Sequence, residues 1–389
     1  MEGAVATPPR DGAWNEFAKD VAAMANTRGG LLVYGVADDK TLKGIDADAV
    51  DDRQYAQWLR NHVRPFLTGV TYEVMQAADQ SAAVLVVEVA ASEFAPHSVT
   101  GTAARDKQQN AFVVPFRDGD HTAWMEEHQI ARTYRDRFAS QERHDRALAK
   151  AWNATHELLV DPLGDDAWLV VAAQPVRPLS RLTPEINRQD VERILEQTLA
   201  DTVGLRNESH SDVMVLRHLG TQRLNARIGL RSWVVSNAVA AADVDQLRPT
   251  YLQLGYEGAL TFAVNVSTRT LNEEPEPGLL VVNSDVVEVA MSEVVSLARA
   301  LARHLHHDSP IGVHAGISDP RGITHRYVCA VPNGFGRFEV PRTSRRPRRI
   351  QPWTTELVPS DPPDTDRVVA EQLSAAMLNQ FGVQSRLYL

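Results

Sequence analysis

Cysteine is almost absent: Cys329 stands alone in 389 residues, which excludes an internal disulfide and a cysteine-rich zinc site. Such a composition fits a reducing compartment. No apolar run approaches the length of a membrane span, and the opening stretch MEGAVATPPR lacks the basic start and apolar core of an export signal. A cytoplasmic protein with no membrane partner is expected. There is no His-Glu-x-x-His zinc pattern and no Gly-x-Ser-x-Gly nucleophile elbow. Cations are outnumbered, 40 Lys+Arg against 50 Asp+Glu for a formal net charge of −10. Phosphate contacts need cations, so this balance opposes a nucleic-acid partner unless the basic residues are gathered locally.

They are gathered. Arg132, Arg135 and Arg137 share one stretch, and Arg342, Arg345, Arg346, Arg348 and Arg349 share another, with Trp353 just beyond. The second run admits two readings: a basic arm that follows a phosphate backbone while the ring stacks on a base, or a solvated linker.

Hydrophobic residues at 43% and charged residues at 23% lie in the globular range, and the length predicts two or three domains. After a loose leader (1–12), Phe17, Ala18, Val21, Met24 and Ala25 recur at helical spacing. Gly29 and Gly30 then end that helix, and Leu31 to Val36 follows as a buried strand. A second helix is expected over 51–63, stopped by Pro65, with strands near 70–75, 83–89 and 111–115. Asp120 or Thr122 is the expected cap of a long helix that runs on through the charged stretch to Lys150. Beyond it, strands near 167–173, 260–266 and 279–282 mix with helices near 188–202 and 292–305, around a solvated acidic loop at 272–278. The expected organisation is a domain over 13–140, a helical linker over 141–155, a second α/β domain over 156–340, and an Arg/Pro-rich segment with a C-terminal helix over 341–389. The fold class is α/β or α+β.

Three segments carry a pattern. Phe17 to Asp39 places Asn26-Thr27-Arg28 before a glycine pair, a hydrophobic strand and an acidic turn. Ser92 to His97 ends in proline-histidine. Phe116 to Met125 opens with Arg117-Asp118-Gly119. In this order they resemble the hallmark of Schlafen AlbA domains, over roughly the first third of the chain. The resemblance implies an α/β module that binds DNA or RNA, in a bacterial regulator of transcription or a phage-defence component, with a homodimer as a further possibility. The residues themselves leave choices open. Asn26, Thr27, Gly29, Gly30, Gly35 and Gly119 suit turn chemistry as well as close approach to a ligand. Arg117, at a strand end, suits a phosphate contact or a plain surface role, and Arg28 joins it as a candidate.

Some Schlafen proteins cut RNA with three carboxylates that hold divalent metal, and the resemblance therefore raises a ribonuclease using Mg or Mn. Here Asp38, with Asp39 adjacent, matches one of the three. Glu2 and Glu16 do not match the upstream pair, so no catalytic set is assembled, and turn chemistry is the other reading of Asp38 and Asp39. The resemblance also raises ATP, but no phosphate loop is present and Gly29-Gly30 leads into a strand, so no cofactor is expected. His304, His306, His307, Asp308, His314 and His325 are the densest set of potential ligands in the second domain, and their other reading is a helix end and its surface. Cys329, inside an apolar strand, reads as packed. A protein-interaction scaffold is the third functional class.

Overall fold

A computed structural model describes residues 15–387, apart from 38, 68, 77–81, 104–105, 160–165, 178–184, 204–213, 238–247, 269–277, 308, 320–325, 334–337, 360 and 363. The leader and the loop at 272–278 thus lie outside the described residues, save Gly278. The chain divides into two compact units, Met1–Glu142 and Arg143–Leu389.

In the first unit α1 (Glu16–Ala25) begins at Asn15, whose side chain accepts the Ala18 N–H, and it buries Phe17, Ala18, Val21, Ala22, Met24 and Ala25. The chain reverses after Asn26 through Gly29, at φ +75°, and enters β1 (Gly30–Tyr34). The helix α2 (Asp52–His62) is capped by Asp51, and β2 (Val63–Arg64) follows. β3 (Val70–Gln76) and β4 (Ala83–Val89) complete an antiparallel sheet of order β1-β4-β3. Its register puts Leu32, Val87 and Tyr72 on the face covered by Phe17, Tyr55 and Trp58. Tyr55 packs 5.2 Å from Phe17 and 5.5 Å from Trp58, ring centre to ring centre. Burying each such ring contributes about 2–3 kcal/mol. β5 (Ser98–Ala103) and β6 (Asp106–Val113) pair with β2 in a second sheet, and β7 (Pro115–Asp118) and β8 (His121–Trp124) form a hairpin.

That hairpin corrects the helix start expected at Asp120 or Thr122. Gly119, at φ +64°, turns the chain, and Thr122 pairs with Arg117 in the ladder. The helix α3 (Glu127–Leu158) opens instead where the Gln129 side chain reaches back to the Glu126 N–H at 2.8 Å. It contributes residues to both units.

The second unit is built on a seven-stranded antiparallel sheet. Its strands are β9 (Trp168–Pro175), β10 (Arg227–Gly229), β11 (Ser232–Ser236), β12 (Thr250–Gly255), β13 (Leu260–Asn265), β15 (Ile311–Ser318) and β18 (Trp353–Leu357), in the order β10-β11-β12-β13-β9-β15-β18. A smaller group joins β14 (Leu279–Asn283), β16 (Arg326–Pro332) and β17 (Phe338–Glu339), with β14 and β16 parallel. Alternation divides the large sheet's faces. Leu169, Val171, Phe262, Val313 and Ala315 point into a core shared with α4 (Arg188–Val203), α5 (Ser284–His304) and α6 (Asp364–Leu378). Trp168, Val170 and Ala263 point the other way, where Trp152 of α3 donates to the Val170 carbonyl at 3.0 Å.

α5 is longer than its sequence pattern indicated. It starts at Ser284, capped by Asn283, and not near 292. Its first turns bury Asp285 and Glu288, which bond to Arg386 and Ser385. The described residues of 341–387 are built into this unit, since β18 completes the large sheet and α6 packs on α5. Among the described residues no helix is long and apolar enough to cross a membrane.

Candidate nucleic-acid interface

The three patterned segments of the first unit meet at one hydrogen-bonded knot. Asn26 Nδ2 donates to the His97 carbonyl at 2.8 Å and to the Pro115 carbonyl at 2.7 Å, while its Oδ1 accepts the His97 N–H at 2.7 Å. Thr27 Oγ1 donates to the Ala23 carbonyl and accepts the Arg117 N–H at 2.9 Å. The Ser92 N–H closes on the Ala25 carbonyl at 2.8 Å. The His97 ring is fully buried between the Pro65 carbonyl, 2.8 Å from Nδ1, and Ser92 Oγ, 2.6 Å from Nε2. A carbonyl only accepts, so Nδ1 carries the proton and Nε2 accepts from the serine hydroxyl. Burial lowers the His97 pKa to about 4, with the nearby Arg137 charge adding to the effect and the Pro65 bond opposing it.

Gly29 belongs to the same construction. A β-carbon there would lie 2.5 Å from the Val89 carbonyl oxygen, so backbone occupies the space a ligand would need. At Gly35, φ +96°, the neighbours are the Ala83 carbonyl and Ile45. Gly30 abuts Met24. A β-carbon on Gly119 would meet open space.

The knot sets Arg28 and Arg117 on neighbouring strands of chain, through the Thr27–Arg117 bond. Their surroundings differ. Arg28 is exposed. Arg117 is half-buried, and its Nη1 donates to Thr122 Oγ1 at 3.0 Å, which donates in turn to Asp20 Oδ1 at 3.2 Å. Burial raises the Asp20 pKa, and Lys19, the Thr122 bond and Arg117 oppose that rise. Arg117 thus braces the hairpin. On α3, Arg132 and Arg135 are exposed, whereas Arg137 turns inward to donate to the Phe94 carbonyl at 3.1 Å.

In the second unit, Arg342, Arg345, Arg346, Arg348 and Arg349 are all exposed, on a segment fastened to the fold by its backbone. The Tyr327 N–H donates to the Pro347 carbonyl at 2.9 Å, and the Arg345 N–H to the Phe381 carbonyl at 2.7 Å. Gln351 and Gln380 exchange two further bonds. Burial follows a three-residue period: Pro341, Ser344, Pro347 and Ile350 turn inward and the arginines outward. The segment opens with a turn, in which the Ser344 N–H donates to the Pro341 carbonyl at 2.9 Å. No acidic residue occurs from Arg342 to Trp353.

The remaining candidates do not gather. Asp38 and its place in a carboxylate set lie outside the described residues. Asp39 is exposed and accepts from the Thr41 N–H at 2.9 Å and from the Thr41 hydroxyl, bonds that lower its pKa and spend it on a turn. His304 faces Asp190 at 3.6 Å, while His314, on the opposite face of the large sheet, bonds to Thr354. Asp308 and His325 lie outside the described residues. Among those described, no three His, Cys, Asp or Glu side chains are placed to hold a metal ion. Cys329 is buried in β16, and burial with the charges of Glu288 and Asp285 pushes its thiol up to about 12, far from a nucleophile's range.

A compact mixed α/β module closed by an Asn-His-Thr knot is the class of domain that the first unit defines. Residues 7–126 match the family model Schlafen, AlbA_2, so a Schlafen-type AlbA_2 domain is present in the N-terminal third of the chain. No curated protein and no solved structure matches the chain. The region after it is a mixed α/β unit of its own.

Proposed function

We propose that this protein binds nucleic acid, DNA or RNA, through phosphate contacts, and serves as a regulator or defence component of the kind the AlbA_2 domain suggests. One observation carries the reading: five exposed arginines, with no acid among them, are held on a segment whose backbone is fastened to the fold. A local cationic strip attracts a polyanion even where the net charge is negative, because screening confines the field of distant carboxylates to about 10 Å at 0.1 M salt. Prefastened arginines also lose less freedom on binding than a loose arm would. In the first unit, Arg28, Arg132 and Arg135 supply further phosphate contacts. A cytoplasmic setting is part of this reading, and the single cysteine is compatible with it.

A filter-binding titration against salt tests the proposal. Each phosphate neutralised contributes about 0.7–0.9 to the slope of log affinity against log salt. Changing the five arginines to glutamine should flatten that slope by as much as about 4. Failure to bind DNA or RNA at low salt would refute it.

A second reading has its own observation. β1 lies at a sheet edge and exposes Leu31 (59%) and Val33 (46%) on the face away from the core. Open edges with apolar faces pair readily. A second copy of the chain is the occupant we assign, and light scattering with and without an oligonucleotide separates a constitutive dimer from nucleic-acid-driven assembly.

A further inference from the structure

Rings stand among the exposed arginines in both units. On α3, Tyr134 and Phe138 lie one helical turn apart with ring centres 6.2 Å apart and planes within 21°. They are 40% and 61% exposed, and neither belongs to the core of the first unit. Arg135 follows Tyr134 directly and Arg132 precedes it by two residues, both exposed, with Asp136, 3.9 Å from Arg132, between the rings in sequence. In the second unit Trp353, 52% exposed, opens the edge strand β18 immediately after the arginine segment.

Burying these rings in a core would release free energy, so their exposure beside cations points to a flat, anionic occupant. A duplex does not meet that description, since its bases already stack on one another and offer only phosphates and groove edges. An apolar protein groove does not meet it either, because arginines flank the rings. Accepting that the chain binds nucleic acid, we propose that its substrate is single-stranded and that each unit holds strand by itself, bases stacking on the Tyr134–Phe138 step in the first unit and on Trp353 in the second, while the arginines beside each take the phosphates.

The test uses the full chain and fluorescein-labelled oligo-dT, oligo-dA, oligo-rU, a DNA duplex and an RNA duplex of equal length, titrated at one low salt concentration. The single strands should bind more tightly than either duplex. Tyr134→Ala with Phe138→Ala, and separately Trp353→Ala, should weaken single-strand binding about 5- to 150-fold and leave duplex binding unchanged. Tyr134→Phe with Phe138→Tyr keeps both rings and should bind as the parent does. Thermal melts followed by circular dichroism confirm that each variant folds. Equal affinity for strand and duplex, or ring variants that bind strands normally, overturns this inference and leaves the phosphate-binding reading standing. Absence of binding to every probe overturns both.

Discussion

Asn26 and His97 hold each other by two hydrogen bonds across 71 residues of sequence, the side chain of one serving as both donor and acceptor to the backbone of the other. The pair ties the end of α1 to the segment that enters β5, and the second Nδ2 hydrogen reaches the start of β7. A residue that sequence alone offers as turn former or ligand contact is committed here, with three of its hydrogen-bonding positions used inside the protein. Within the AlbA_2 signature, Asn26 therefore serves the architecture of the first unit.

Asn26→Ala should cost about 2–4 kcal/mol, because the His97 N–H and two carbonyls lose a partner in a part-buried setting. Asn26→Asp should cost at least as much, since a carboxylate keeps the His97 N–H bond but faces two carbonyl oxygens with no hydrogen to give. Hydrogen exchange of first-unit amides reads both variants. Unchanged protection would show that the knot is dispensable.

Burial of His97 makes the first unit sensitive to acid. Its pKa falls from an ordinary 6.5 to about 4, so between those values the unfolded chain binds a proton that the native state does not. Stability then rises with pH: the contribution is complete above 6.5 and is lost as pH falls toward 4. At about 1.4 kcal/mol per pH unit, roughly 3 kcal/mol is at stake. An NMR titration should find the His97 ring still neutral well below pH 6.5, with Nδ1 protonated. A midpoint near 6.5 would contradict the buried geometry.

Periodicity made most elements legible: the spacing of Phe17, Val21 and Met24 locates α1, and the apolar run at 83–89 locates β4. Where it failed, the deciding contact lay far away or was locally ambiguous. Thr122 sits before a helix and resembles a cap, yet its ladder partner is Arg117 and the helix waits for the Glu126–Gln129 bond. The early turns of α5 carry Asp285 and Glu288, which look like solvent residues until Arg386 and Ser385 arrive from about a hundred residues on. At the candidate interface, the arginine run was visible but its fastening was not, because the Tyr327 and Phe381 backbones that hold it are remote in sequence. The three-residue spacing of Pro341, Ser344, Pro347 and Ile350 was a readable signal of which side faces in.

Two glycines with positive φ should respond very differently to alanine. At Gly119, φ +64° and open space leave only the cost of left-handed backbone, about 1 kcal/mol, and asparagine should be nearly neutral. At Gly29, φ +75° is joined by a β-carbon 2.5 Å from the Val89 carbonyl and 2.9 Å from the Ala91 nitrogen, both backbone. Gly29→Ala must shift α1 against β4 and should cost about 3 kcal/mol or more. Urea denaturation of the two variants measures the contrast, and equal losses would mean that the close approach is relieved cheaply.

Arg299 and Asp366 lock α5 to α6 from inside the second unit, with side chains 3% and 7% exposed. The guanidinium donates to Asp366 through Nε at 2.8 Å and Nη2 at 2.5 Å, and through Nη1 to the Pro359 and Asp361 carbonyls. Removing one member of a buried pair strands the other, so Arg299→Met should destabilise by about 3–5 kcal/mol. Burial already raises the Asp366 pKa, and the Arg299 bond and charge restrain that rise. Without the cation the carboxyl is pushed higher and binds a proton in the native state that the unfolded chain releases, which penalises the variant increasingly as pH climbs. The deficit measured by urea denaturation should therefore be larger at neutral pH than in mild acid, and Arg299→Met combined with Asp366→Leu should recover part of it. A deficit independent of pH and unrelieved in the double variant would assign the loss to the two carbonyls alone.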